Sequence, residues 1–266
     1  MTGLASATWA LAARSVRQYP RVPADFVVAL LIPLFFFAVT SVTYASVARI
    51  PGFPTGDYAL FFLPLVIVFA VFTSANGVGY ALVLEVKNGY LDKLLALPIP
   101  RLAILLGRLL AVAARCMVQV ALVLAIGYAF GMRFVTGLPG VAAVLLLAAG
   151  LAVAWASIGS FIALTTRSPE ATEGMTILFL PLLYLTTGSM PLGLLPDGFR
   201  DIVVLNPVTY VIEGIRALLL DGWAAPAVAT LPGLPLPAVP AAALAVVGFG
   251  AVTVTAATWA LGRMDA

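Results

Sequence analysis

A chain of 266 residues with 63% hydrophobic and 9% charged positions, at a mean hydropathy of +1.12, is far too apolar for a water-soluble domain and reads as an integral membrane protein. Its formal charge of +3 and pI near 9.2 do not point to nucleic acid, because the basic residues are spread along the chain at the ends of apolar runs. No histidine and one cysteine, Cys116 in an apolar run, exclude the usual zinc, haem and imidazole-base chemistries, an intrachain disulfide and a cysteine-built metal site.

Residues 1–24 hold no run long enough to cross a bilayer, but Trp9, Ala13 and Val16 fall on one helical face and Arg14, Arg17 and Arg21 on another. The expectation is an interfacial helix anchored by Trp9 in the inner-leaflet headgroups, the alternative a loose basic leader. No charge occurs between Asp25 and Arg49, and about 20 residues cross a bilayer core, so residues 25–48 are span one. Ala45-Ser46-Val47-Ala48 resembles a signal-peptidase site, but the apolar run exceeds the roughly 7 to 15 residues of a secretory segment, so the run is expected to be retained. Prolines and glycines from Arg49 to Asp57 make a turn, and residues 58–84 form span two, with Asn76, Gly77 and Gly79 suited to close helix packing.

A short charged amphipathic segment, residues 85–98, then interrupts the apolar pattern. Asn88 can cap a helix beginning at Gly89, and Pro98 and Pro100 forbid its continuation. Leu91, Leu94 and Leu95 share one face of that helix, while Asp92 and Lys93 point elsewhere. So short a helix is marginal alone, so its leucine stripe needs either the membrane surface or a groove on another protein.

Arg101, Arg108 and Arg115 recur every seven residues along one face of span three, residues 102–131. They either snorkel to phosphates or, in the case of Arg115, roughly 20 Å along the helix from Arg101, face a partner or a polar cavity. Residues 141–166 are span four, Arg167 to Glu173 a second polar loop on the side of the central segment, and residues 174–193 span five. Pro181, Thr186, Thr187, Gly188 and Ser189 weaken or kink that span unless neighbours re-satisfy its backbone.

Residues 194–222 carry strong helix signals inside a connection: Asn206 as N-cap, Pro207 in the first turn, and Gly222 as the stop. Val208, Ile212, Ile215 and Leu219 form an apolar stripe against Glu213 and Arg216, which either pair externally at i, i+3 or face water. The expected element is a re-entrant helical hairpin in the outer leaflet. Ala224 to Pro240 is a linker, and residues 241–262 are span six.

Six spans put both termini on one side. Ten of the 14 Lys+Arg residues fall on that side and four (Arg49, Arg133, Arg200 and Arg216) on the other, so both termini and the central helix are expected in the cytoplasm. The expected fold is therefore an all-α integral membrane domain of six transmembrane helices, with an N-terminal interfacial helix, a cytoplasmic coupling helix and an external re-entrant helical hairpin. The predicted apolar runs contain no Asp or Glu, and the chain has no phosphate loop, which argues against an ion-coupled secondary transporter and against ATP hydrolysis by this chain. Catalytic signatures of a membrane transferase or protease are missing too. A helix such as 85–98, fixed between two spans, is what a membrane subunit would present to a soluble motor, although the lipid surface suits it equally on physics alone.

The run Glu85-Val86-Lys87-Asn88-Gly89-Tyr90-Leu91-Asp92-Lys93-Leu94-Leu95-Ala96-Leu97-Pro98, followed by Arg101 and Gly107-Arg108-Leu109, resembles the coupling segment of type-2 ATP-binding-cassette permeases, above all the daunorubicin-resistance permease group. Leu205-Asn206-Pro207-Val208-Thr209-Tyr210, with Arg216 following, resembles that family's external motif before its last span. The resemblance implies a permease subunit of an exporter in the bacterial plasma (inner) membrane, moving an amphipathic drug, lipid or glycan. It also implies a homodimer or heterodimer with a second permease, contact with membrane lipids, and a separate ATPase subunit that binds ATP and Mg, leaving no cofactor in this chain. Glu85, Asn88, Gly89, Tyr90, Leu91, Asp92, Lys93, Leu94 and Leu95 would form the ATPase contact, with Leu91, Leu94 and Leu95 as anchors. Asn206, Pro207, Tyr210, Glu213 and Arg216 would shape the external gate. Tyr90 departs from the family pattern, which often has a small hydroxyl residue there.

Overall fold

The computed structural model describes residues 3–18, 23–221, 223, 230–231 and 234–264. Arg21, Gly222 and residues 224–229 and 232–233 of the expected linker lie outside them. Among the described residues every regular element is a helix, apart from a two-residue antiparallel pair, Thr230–Leu231 with Leu234–Pro235.

Helix α1 (Leu4–Gln18) packs along α6 (Arg101–Ala129) through Ala7 and Ala12, leaving Trp9 exposed. Helix α2 (Pro23–Thr43) exposes an apolar stripe of Leu31, Phe35, Val39 and Val42. The second expected span is two helices, α3 (Tyr58–Ala75) and α4 (Val78–Lys87), so it runs three residues further than the uncharged stretch. Asp57 starts it by accepting a hydrogen bond from the Ala59 amide at 2.8 Å. Helix α3 is apolar on every side and buried on nearly every side, as a central helix must be.

At the α3–α4 break the Asn76 side chain accepts the indole N–H of Trp155 at 2.9 Å. Three residues on, a Cβ at Gly79 would lie 2.6 Å from the Gly159 carbonyl oxygen, so only glycine lets α4 approach α7 (Gly137–Thr166) this closely. Helix α7 is the hub, packing against α3, α4, α6, α8 (Pro169–Tyr184), α10 (Pro207–Leu219) and α11 (Ala238–Gly262). Its 30 residues give a rod of roughly 45 Å.

The fifth expected span, residues 174–193, is corrected. Helix α8 is Pro169–Tyr184, because the Ser168 hydroxyl accepts from the Ala171 amide at 3.2 Å and Pro169 occupies the first turn, which starts the helix before the apolar run. It ends before Thr186, Thr187 and Gly188, which continue as buried non-helical backbone. The connection holds α9 (Asp197–Leu205) and α10 (Pro207–Leu219), bent by 87° at Asn206. The last helix, α11 (Ala238–Gly262), packs on α7 and α10.

Among the described residues four helices are long and apolar enough to cross a membrane, or five if the bent α9–α10 pair is one span. They are Tyr58–Lys87, Arg101–Ala129, Gly137–Thr166 and Ala238–Gly262. The protein is thus a multi-pass helical membrane protein. At one end of the bundle lie α1, α5 (Tyr90–Leu95), the α7–α8 turn and the C-terminal part of α11, tied by Arg14 over the Tyr90 ring and by Phe161 beside Trp259. At the other end the Tyr58 hydroxyl donates to Ser189 O at 3.0 Å and Thr136 donates to Leu218 O, joining the start of α3, the α6–α7 turn and the end of α10.

Candidate functional site

Two groups of predicted site residues lie at opposite ends of the bundle. In the first, the helix assignment shifts by one residue: Asn88 is the C-cap of α4, not the N-cap of the next helix. Gly89 takes the N-cap position of α5 at φ +64°, a left-handed conformation that lets the chain turn between two helices without a side-chain cap. Glu85 belongs to the last turn of α4 and pairs with Arg108 on α6, so its carboxylate faces the bundle.

The leucine stripe also turns inward. Leu91 is fully buried and Leu94 nearly so, both in the main core, while Leu95 and Tyr90 are half-buried. Leu91 and Leu94 therefore anchor α5 to its own chain, and the outward surface is made of Lys87, Asn88, Asp92, Lys93 and Leu97. Arg14 of α1 sits over the Tyr90 ring with its guanidinium carbon 4.8 Å from the centroid, a role that a small hydroxyl residue could not fill. The Arg167 loop adjoins this surface. Glu170 there has its carboxyl pKa lowered, first by a hydrogen bond from the Ser168 hydroxyl and last by the charge of Lys87.

The second group is fully internal. Asn206 accepts from the Val208 amide at 3.0 Å and donates to Leu182 O and Leu185 O, each at 2.8 Å, which fastens the start of α10 to the frayed end of α8. Pro207 follows it in the first turn of α10. Tyr210 donates its hydroxyl to Val204 O at 2.9 Å, and Thr209 donates to Val203 O at 2.8 Å, holding the bend.

Glu213 and Arg216 do form the i, i+3 pair, at 2.7 Å, and with side chains 2% and 0% exposed neither faces water, so the water-facing alternative is corrected. Arg216 donates to the carbonyl oxygens of Phe61, Thr187 and Gly188 at 2.8 to 3.2 Å, and its guanidinium lies 3.7 Å from the Phe61 ring centroid. Glu213 accepts further bonds from the Thr187 hydroxyl and from the Trp223 indole. Both charges are compensated, and the irregular backbone after α8 finds its donors inside the protein, the condition for non-helical chain at membrane depth.

Sequence reasoning missed Thr187 and Trp223 as partners of the pair, and Arg14 and Arg108 as partners of the first site. Only Arg108, inside the Gly107-Arg108-Leu109 motif, carried a signal.

The fold, with a short helix clamped at one end and a buried polar hairpin at the other, defines the class as a multi-pass helical membrane protein. The ABC-2 type transporter family model matches residues 6–220, and the chain belongs to that family. It is 28% identical over 194 residues to the doxorubicin resistance ABC transporter permease protein DrrC of Mycobacterium tuberculosis, covering 73% of this chain and 70% of that one. It is 27% identical over 209 residues to the daunorubicin resistance ABC transporter permease protein DrrB1 of Streptomyces coeruleorubidus, with 77% and 72% covered. A transport permease of Cyanophora paradoxa, ycf38, is 27% identical over 206 residues, with 76% and 70% covered.

Proposed function

We propose that the chain is the membrane-spanning subunit of an exporter that moves an amphipathic drug, lipid or glycan-type molecule out of a bacterial cytoplasm with ATP hydrolysed by a separate subunit. In this reading α2, α3–α4, α6, α7, α8 and α11 are six spans of the inner membrane, α1 is interfacial, and α9–α10 is an external re-entrant hairpin. Both termini and α5 are cytoplasmic, a second permease copy or paralogue completes the pathway, and ATP and Mg bind the partner ATPase. Names of the drug-resistance relatives support the cargo class, and the positive-inside distribution supports the orientation.

The observation that carries the reading is the mounting of α5. Leu91 and Leu94 root it in the core, and the Glu85–Arg108 pair locks the preceding turn to α6. A push on its outer face therefore reaches α4 and α6 as rigid displacement rather than being absorbed in a loose loop. Ion coupling is less well supported, since Glu213, a buried carboxylate, is fully engaged with Arg216, Thr187 and Trp223.

The test is co-purification with a co-expressed ATP-binding-cassette ATPase subunit. Lys93→Glu combined with Leu97→Asp, both on the exposed face, should abolish recovery of the ATPase while insertion and thermal stability stay at wild-type levels. Undiminished recovery removes α5 as the contact. Uphill flux driven by a pH gradient in liposomes holding this chain alone overturns the ATP-driven reading.

A further inference from the structure

Helix α2 carries a proline in its interior, Pro33, and a proline lacks the N–H that would bond the carbonyl four residues back, at Ala29. That carbonyl is met from outside the helix. The side-chain amide of Gln119 on α6 donates to Ala29 O at 2.6 Å, and the same nitrogen lies 3.3 Å from the Thr73 hydroxyl of α3. Thr73 is also 3.3 Å from Ala29 O and has its shorter bond, at 3.0 Å, to Ala70 O. The two amide hydrogens of Gln119 therefore serve Ala29 and Thr73, and the hydroxyl hydrogen serves Ala70.

The two sides of Pro33 are mounted differently. After it, the Phe36 ring packs on Phe62 and Phe69 of α3 at centroid distances of 5.6 and 5.5 Å. Before it, Val27, Val28, Leu31 and Ile32 are 48 to 60% exposed. Beside α5 lies a cavity of about 770 Å³, bounded by α1, α2, the α3–α4 break and α6, and Val28, Ala29 and Ile32 form its α2 wall. Gln119 is fully buried, yet its side-chain oxygen has no hydrogen-bond partner. Turning the amide over would set that oxygen against the Ala29 carbonyl, so the tie forms only with the oxygen idle. A buried acceptor left idle favours any state in which water reaches it, and the tie is accordingly one that can be undone.

We infer that residues 23–32 of α2 are a movable wall of this cavity, hinged at Pro33 and latched by the Gln119 amide through the Ala29 carbonyl. Pro33 acts twice, freeing the carbonyl for the latch and supplying the bend about which the wall turns. With the latch open, the wall leaves α6, the cavity widens and the Gln119 amide is hydrated at both ends. The inference goes beyond the export reading and concerns the chain alone, without ATPase or nucleotide.

The test is double electron–electron resonance on the full-length chain in nanodiscs, with spin labels at Val27→Cys and Leu146→Cys in a Cys116→Ser background, where serine keeps a donor for Ala148 O. Both labelled positions are exposed, and Val42→Cys with Leu146→Cys reports the other half of α2. The intact latch should give one main distance between labels 27 and 146. Gln119→Leu should raise the share of molecules at a second distance about fivefold, the ratio set by losing one hydrogen bond, while the distance between labels 42 and 146 stays as it was. Pro33→Ala combined with Gln119→Leu should return a single distance, because residue 33 then supplies the missing N–H and the hinge is gone. An unchanged distribution in Gln119→Leu overturns the latch, and equal shifts at both label pairs overturn the hinge. Should Gln119→Leu alone fail to insert, rescue of insertion by Pro33→Ala supports the tie to Ala29 and absence of rescue overturns it. No nucleotide, ATPase or cargo enters the measurement, so its failure is distinct from a failure of the export reading.

Discussion

Among the described residues two arginine–glutamate pairs form, one within α10 and one joining α4 to α6, and their surroundings differ in every respect that matters. Arg216–Glu213 has side-chain exposures of 0% and 2%, and its remaining donors and acceptors are engaged by Phe61, Thr187, Gly188 and Trp223. Arg108–Glu85 has 16% and 31% and stands on the wall of a cavity beside other arginines. A buried pair is tolerated only when nearly all its hydrogen-bonding capacity is used, and the first pair then fixes one geometry. The second keeps hydration and room, so its partners can be exchanged. The hairpin end is built to hold a shape and the α5 end to respond to one.

Breaking the first pair should give the largest effect. Glu213→Ala leaves the Arg216 guanidinium buried with carbonyl oxygens and the Thr187 hydroxyl but no counter-charge, at a cost of about 3 to 5 kcal/mol. The expected result is loss of folded protein from detergent extracts, read by thermal unfolding followed with size-exclusion chromatography. A milder response than that of a surface control would show that water reaches the pair and that the contrast between the two ends is false.

Next in size is Asn206→Ala. It removes a helix cap and leaves the Leu182 and Leu185 carbonyls short of a donor, for about 2 kcal/mol in total. Lower thermal stability with ATPase recovery intact is expected, since the change is confined to the hairpin end. Reduced recovery would mean that the two ends are coupled in the resting state.

The spans that read clearly in the sequence were those defined by the absence of charge. Their bounds shifted by a few residues where a cap decided, as at Ser168, whose hydroxyl starts α8 ahead of the apolar run. The two sites were legible in position but not in facing. Periodicity put Leu91, Leu94 and Leu95 on one side of a helix, yet a stripe carries no mark of whether its cover is a partner, lipid or the chain itself. Glu213 and Arg216 were a recognisable i, i+3 pair, but Arg216 is satisfied by main-chain carbonyls at Phe61, Thr187 and Gly188, and backbone acceptors leave no signature in residue types. The end of α8 was hidden for the same reason: the helix can stop in an apolar run because a donor from far along the chain meets its loose carbonyls.

The smallest effect on stability should come from Glu85→Gln. The lost attraction is discounted by the partial exposure of both side chains, so about 1 kcal/mol or less is expected in thermal unfolding. If Glu85→Gln instead lowers stability as strongly as Glu213→Ala does, then Arg108–Glu85 is a fixed structural pair like the other, and the α5 end holds its shape by the same means as the hairpin.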